Sequence, residues 1–403
     1  MASVLSLPRA ELKSVGLISI GHGFSHLYML VLPPLFTLIR ADLGVSWTDL
    51  GLLIAVFSVS TGIAQLPAGI LVDRIGGRPV LFAGLVLQAA PFALVALFPT
   101  YWGLMAMVLV AGIGVAVFHP ADYAILAAQV DGERQGRAFG IHIFAGYAGW
   151  VVAPPLMLAL ASVLDWAAAV SVSGLIGLLF TAIAALYRGA LDDRAIRAAP
   201  GDGGEAVARG LRARVRFLLS PPVLLFLVFF TALATGTSGI HAFAVVALVE
   251  LYDASLAAAN AQLTGYFAAA AVGVLIGGVI ADRVRDQEGL AALCFVASAA
   301  FLGVIALKLL PLAYVIIPML GSAVTIGLMS PSRDLLVRKI CPPGTIGTVF
   351  GFVTTGFSVG AAIGPPIFGY VADIGRPDLI FWLSGAFTLL CIVSIYAAKA
   401  VAR

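Results

Sequence analysis

The five histidines of this chain, His22, His26, His119, His142 and His241, all stand in long apolar stretches, and so does Asp122, one helical turn past His119. Imidazole exchanges a proton near neutral pH, both donates and accepts hydrogen bonds, and ligates transition metals. His22 and His26 are four residues apart and so share a helix face, with Tyr28 close by. Two such imidazoles have the spacing of metal ligands, but no carboxylate or thiol partner is apparent beside them, so no metal is assigned. Hydrogen bonding to a substrate, or holding a proton, is the expected role. A core histidine bonded to a backbone carbonyl is the alternative for each residue.

The setting of these groups follows from composition. Hydrophobic residues make up 61% of the 403-residue chain and charged residues only 11%, against roughly 25% charged in soluble domains. So few charges cannot cover a water-facing surface, whereas a lipid-facing one needs none. Twelve apolar stretches are each long enough to cross about 30 Å of hydrocarbon, which takes ~20 helical residues. They include residues 15–39, 102–130, 138–164, 222–249, 312–337 and 345–372, the first, fourth, fifth, seventh, tenth and eleventh spans. Their length favours helices over barrel strands, which need only about ten residues. The expected fold is an all-α membrane protein.

Lys and Arg divide unevenly between the two sets of loops. With the N-terminus inside, 20 of them fall on the cytoplasmic side, and only Arg40, Lys308 and Arg376 fall outside. Both termini are therefore expected in the cytoplasm of a multi-pass inner-membrane protein. The formal charge of +3 reflects this topology and does not suggest nucleic acid. Cys294, Cys341 and Cys391 lack metal-like spacing and read as reduced core residues. No nucleotide-binding loop is apparent, so ATP is not the expected energy source.

The chain repeats itself. Pro120 returns 211 positions later as Pro331, Gly136 as Gly347, Phe139-Gly140 as Phe350-Gly351, Gly149 as Gly360, and Pro154-Pro155 as Pro365-Pro366. Matching glycines and prolines match backbone shape. Two six-helix bundles are expected, residues 1–187 and 222–403, joined by a basic cytoplasmic linker at 188–221. Within that linker, 209–219 has the pattern of a helix lying on the inner leaflet; a flexible tether is the alternative. The same offset pairs Asp122 with Arg333. An ionised group at mid-membrane costs at least ~2.5–3.5 kcal/mol. The expectation is that Asp122 and Arg333 approach each other when the cytoplasmic side closes, with protonation of Asp122 or His119 releasing Arg333. Asp334, next in sequence, is an alternative partner for Arg333.

Between the second and third spans stands Gly69-Ile70-Leu71-Val72-Asp73-Arg74-Ile75-Gly76-Gly77-Arg78-Pro79-Val80-Leu81. It resembles the G-x-L-a-D-R-x-G-R-K-x-x-L signature of the major facilitator superfamily, with Gly77 in place of a second basic residue. A degraded copy ending in Asp282-Arg283 lies between the eighth and ninth spans. The resemblance implies two pseudo-symmetric six-helix bundles around a central cavity, lined by spans 1, 4, 5 and 7. It also implies a conformational gate built from Gly69, Asp73, Arg74, Gly76, Arg78, Asp282 and Arg283. Gly69 would let helices approach, Asp73 would meet the start of span 11 after Pro342-Pro343-Gly344-Thr345, and Arg74 and Arg78 would pair with Asp131 or Glu133.

Further residues resemble the branch related to fosmidomycin-resistance exporters: Gly21-His22, Tyr28 and Pro33-Pro34 in span 1, and Phe118-His119-Pro120 in span 4. His26 replaces an acid common in that branch, and Val108 stands where many proton antiporters carry arginine. The G-x-x-x-G-P element reads Gly149-x-x-x-Ala153-Pro154 in span 5 and is complete as Gly360-x-x-x-Gly364-Pro365 in span 11. The resemblance implies a secondary transporter without a cofactor, exporting a small molecule in exchange for protons. His22, His26, Tyr28, His119, Asp122, His142, His241 and Arg333 are its expected substrate or coupling residues. Import of an organic anion is a second reading. A third is a non-transporting sensor or intramembrane enzyme, for which no output domain or reactive constellation is apparent.

Overall fold

A computed structural model describes residues 8–131, 134–191, 216–281, 283–341 and 346–401. Asp282, Glu133, residues 342–345 and most of the linker, 192–215, lie outside the described residues, and with them most of the surface helix expected at 209–219.

Every regular element among the described residues is helical, and twelve spans are long and apolar enough to cross a membrane. Large aliphatic side chains stand open along them: Leu66 and Leu186 leave 73% and 83% of their surface uncovered. Such exposure is stable only where the surrounding medium is hydrocarbon.

The chain divides into two compact units, Met1–Val45 with Val56–Ala199, and Ser46–Ala55 with Pro200–Arg403. The first unit carries α1 (Arg9–Met29), α2 (Phe36–Leu43), most of α3 (Trp47–Ile75), α4 (Gly77–Ala93), α5 (Tyr101–Val115), α6 (Phe118–Gln129), α7 (Gln135–Ala161) and α8 (Trp166–Leu186). The second carries α9 (Pro221–Tyr252), α10 (Leu256–Ala281), α11 (Gln287–Ala306), α12 (Leu312–Lys339), α13 (Ile346–Asp373) and α14 (Asp378–Val401).

Helix partners repeat between the units. The pairs α1·α7, α4·α5 and α4·α8 of the first correspond to α9·α13, α11·α12 and α11·α14 of the second. The first core gathers Val15, Ile18, Leu81, Leu85, Phe118, Ala121 and Ile125; the second is richer in aromatics, with Phe226, Phe229, Phe230 and Phe295.

Two spans expected to be continuous are broken, both in the first unit. Span 1 stops at Met29 and resumes at Phe36 after a 3-10 turn, Pro33–Leu35. Pro33 and Pro34 carry no N–H for the carbonyls of Met29 and Leu30, so the α-helical ladder cannot pass them. Span 4 breaks at Ala116 and Val117 because Pro120 leaves the Ala116 carbonyl without its helical donor. Pro331, the repeat partner of Pro120, lies inside the continuous α12. The repeat preserves the proline but not the break.

The first turns of α3 are grouped with the second unit for a visible reason. Asp373, at the end of α13, accepts hydrogen bonds from the Trp47 N–H (2.8 Å), the Thr48 N–H (2.9 Å) and the Thr48 hydroxyl (2.6 Å). A carboxylate at a helix N-terminus satisfies unpaired donors and meets the positive end of the dipole. Asp373→Ala is expected to cost about 1–2 kcal/mol, a value typical of a lost cap. Thermal unfolding in detergent measures it, and an unchanged midpoint would remove the capping role.

Candidate functional site

The broken helices carry the polar cluster. His22 and His26 sit on α1 in the two turns before its break, His119 and Asp122 on the first turns of α6 after its break, and His142 on α7. Asp122 and His142 are fully buried and His22 nearly so. Asp122 Oδ2 lies 3.7 Å from His22 Nδ1 and 3.7 Å from His142 Nε2. These separations are within ion-pair range but beyond hydrogen-bond length. Both Asp122 oxygens, His22 Nδ1 and both His142 ring nitrogens are buried without a hydrogen-bond partner. Groups of this kind are normally satisfied, and five such atoms in one place make this cluster the candidate site.

The rings stack around the carboxylate. His22 lies over His142 at 3.9 Å between centroids with a 25° tilt, and His26 and His119 approach His22 at 4.6 and 5.4 Å. The Trp150 ring lies 4.4 Å from that of His26, and Tyr123 meets His119 and His142 at 5.6 and 5.7 Å. Room for these rings comes from α7. A Cβ on Gly146 would sit 2.9 Å from His26 Cε1 and 3.0 Å from His22 Nε2, and one on Gly149 would run into the Gly23 carbonyl. Small residues at a helix contact allow this approach. Ser25 meanwhile gives its hydroxyl proton to the His22 carbonyl at 2.7 Å.

Four of the five histidines and Asp122 thus come together. Tyr28, in the same unit, does not join them, and His241 and Arg333 belong to the second unit. Tyr28 donates its hydroxyl to the Ser173 carbonyl at 3.0 Å and stacks on Phe92, tying α1 to its neighbours. His241, in the second unit, packs against Phe267 and Tyr266. Arg333 gives its Nε proton to Asp334 at 2.8 Å, and its guanidinium lies over Phe230 and Phe357 at 5.3 and 5.5 Å.

Among the expected gate residues, Asp73, Arg74 and Arg283 are exposed and Arg78 is half-buried. Gly76 has φ +93°, a conformation strained for any side chain, which accounts for glycine at the start of α4. The close helix approach expected at Gly69 falls instead at Gly77. A Cβ on Gly69 would meet only Pro120 at an ordinary 3.9 Å, whereas on Gly77 it would press on Ile125 at 2.8 Å.

Sequence reasoning missed Gly146, Trp150 and a bidentate ion pair between Arg134 and Glu11, at 2.7 and 3.0 Å. A signal for Gly146 was present. His142, Gly146, Gly149 and Ala153 recur at four, three and four residues, which is one helix face.

Known proteins resemble this chain at three levels. The Probable L-galactonate transporter of Escherichia coli (strain K12) is 33% identical over 152 residues, 37% of this chain and 33% of that protein. The Fosmidomycin resistance protein of the same strain is 22% identical over 96% of this chain and 93% of its own length. A probable sulfoacetate transporter of Cupriavidus necator is 24% identical over 87% of this chain and 84% of that protein. Among solved structures, a bacterial homologue of the human lysosomal transporter Spinster superposes with TM-score 0.74 at 13% identity, covering 99% of this chain and 98% of that one. The nucleoside transporter NupG (D323A mutant) gives 0.74 at 14% identity, covering 98% and 99%. Twelve apolar helices, a repeated order of helix partners and family-model matches at residues 18–244 and 231–402 converge, and the chain belongs to the Major Facilitator Superfamily.

Proposed function

We propose that this protein is a proton-driven secondary transporter that exports a small organic solute across the inner membrane by alternating access, with the proton taken up at the His22–Asp122–His142 cluster. One observation carries the proposal: a fully buried carboxylate sits 3.7 Å from each of two imidazoles with no hydrogen-bond partner on any of the facing atoms. A group so placed in hydrocarbon needs a function to offset its cost. A proton arriving on, or leaving, the three groups changes their net charge and the energy of every helix arrangement that exposes them. The family is one of transporters and not of enzymes, and the cluster serves binding.

The two bundles, 1–187 and 222–403, are proposed to act as the moving bodies. Asp73, Arg74, Arg78, Asp282 and Arg283 would serve as the inner gate, and Asp122 would approach Arg333 when that gate shuts. Twenty inner against three outer basic residues support cytoplasmic termini. Labelling of a cysteine introduced at the C-terminus by an impermeant thiol reagent outside intact cells would refute that orientation.

Import of an organic anion is the second reading, favoured by two relatives named as transporters of L-galactonate and sulfoacetate. Proteoliposomes separate the two. Labelled fosmidomycin, L-galactonate and sulfoacetate, with solutes chosen by thermal shift of the purified protein, are offered under pH gradients of either sign. Accumulation into an acidic lumen is the expected result and means exchange against protons. Accumulation into an alkaline lumen means proton symport, and insensitivity to both gradients overturns proton coupling.

A further inference from the structure

We infer that His22, Asp122 and His142 form a binding site for a divalent transition ion of the Zn2+ or Co2+ class, held between α1, α6 and α7. The inference rests on the same pocket as the proton reading and adds a second cation that it accepts. It was not available from the spacing of His22 and His26, which lacks a carboxylate; the fold supplies one from α6.

The donors are of the right kind. One ring nitrogen each of His22 and His142 and a carboxylate oxygen of Asp122 all lie within 4.8 Å of one another, and all three residues are buried. Two imidazoles and one carboxylate are a common protein ligand set for zinc with an open fourth position. At zinc–ligand distances of about 2.0–2.2 Å, tetrahedral donors stand roughly 3.3–3.6 Å apart. Two of the edges here, both 3.7 Å, come within a few tenths of an ångström of that. The two rings, stacked at 3.9 Å with a 25° tilt, bring both nitrogens onto one ion by turning about χ2, a soft torsion for histidine.

The donors are also unspent. The two ligating nitrogens and both Asp122 oxygens have no hydrogen-bond partner, so an ion displaces no existing bond. Among the described residues the ion-pair partners of the carboxylate are His22 and His142, neither a lysine nor an arginine. With both imidazoles neutral and the Asp122 proton released as the ion binds, the ligand set carries one negative charge, which a dication outweighs at short range. His26 and His119, whose rings lie 4.6 and 5.4 Å from His22, stand near enough to offer a fourth ligand after a ring rotation. Gly146 keeps the space beside His22 and His26 free of a Cβ.

The test uses the full-length protein in detergent with any purification tag removed, since histidine tags bind the same ions. Zn2+ is titrated calorimetrically, and Co2+ is followed by its visible d–d absorption, which is intense only in tetrahedral or five-coordinate sites. The expected result is one saturable ion per chain, with affinity falling at least ~10–100-fold in Asp122→Asn and in His142→Gln. His241→Gln, in the other unit, is expected to bind as the parent does. Circular dichroism melts confirm that each variant is folded; should Asp122→Asn fail to fold, His22→Gln replaces it. Absence of a saturable one-to-one site overturns the inference, and so does undiminished binding in folded His142→Gln. Proton-driven uptake measured in chelator-treated liposomes keeps the two readings apart. Its survival alongside absent zinc binding refutes the metal site alone, and its loss alongside retained zinc binding refutes the proton reading alone.

Discussion

Asp122→Asn is expected to abolish solute accumulation driven by a pH gradient, to the level of empty liposomes, while downhill counterflow of the same solute continues. Asparagine keeps the shape of the side chain and removes its capacity to take or release a proton. The substitution therefore separates coupling from passage. Folding should survive, because the amide can turn one N–H toward His22 Nδ1 or His142 Nε2, which now face the carboxylate at 3.7 Å. The midpoint of thermal unfolding is expected to stay within a few degrees of the parent, since one buried polar group replaces another in the same place. Uphill accumulation by the folded variant would remove Asp122 from coupling. Loss of both accumulation and counterflow would make Asp122 a substrate contact instead.

Glycines of α7 give the second large effect, and they separate site from scaffold. Gly149→Ala places a methyl group against the Gly23 carbonyl, where two backbones meet and neither can yield. Overpacking of this kind typically costs about 1–3 kcal/mol, so lower expression and a clearly lower unfolding midpoint are expected. Gly146→Ala meets ring atoms of His22 and His26 at 2.9–3.1 Å, and side chains can shift. Transport should fall sharply with little change in the midpoint. Gly140→Ala, on the same helix with nothing within 4 Å of the added carbon, serves as control and should gain about 0.5–1 kcal/mol from helix propensity. Equal effects from all three would show that the cluster does not depend on the α1·α7 contact.

Much of the architecture was legible in the chain itself. Hydrophobic runs of about 20 residues have a single solution in hydrocarbon, because backbone polar groups find partners there only inside a helix or a closed barrel. Twelve such runs, one internal repeat and the Gly69–Leu81 loop therefore reached the fold and the family without coordinates. The breaks were half legible. Pro33, Pro34 and Pro120 are visible in sequence, but so is Pro331, which leaves its helix continuous. A proline removes one donor wherever it stands; whether the helix then parts depends on neighbours that no local pattern records.

Residue types and membership of apolar spans, then, were decided by sequence: which side chains are able to hold a proton or an ion, and that they are immersed in lipid-bathed helices. Which of them meet was decided by tertiary structure alone. Asp122 and His142 are 20 positions apart and His22 a further 100 from Asp122, yet helix packing brings their polar atoms within 4.8 Å, while Tyr28, six residues from His22, turns to a carbonyl on another helix. Periodicity fixes the face a residue occupies on its own helix. The neighbour across that face is chosen by how small residues such as Gly146 and Gly149 let two helices close, and that is a property of the packed unit rather than of any one segment.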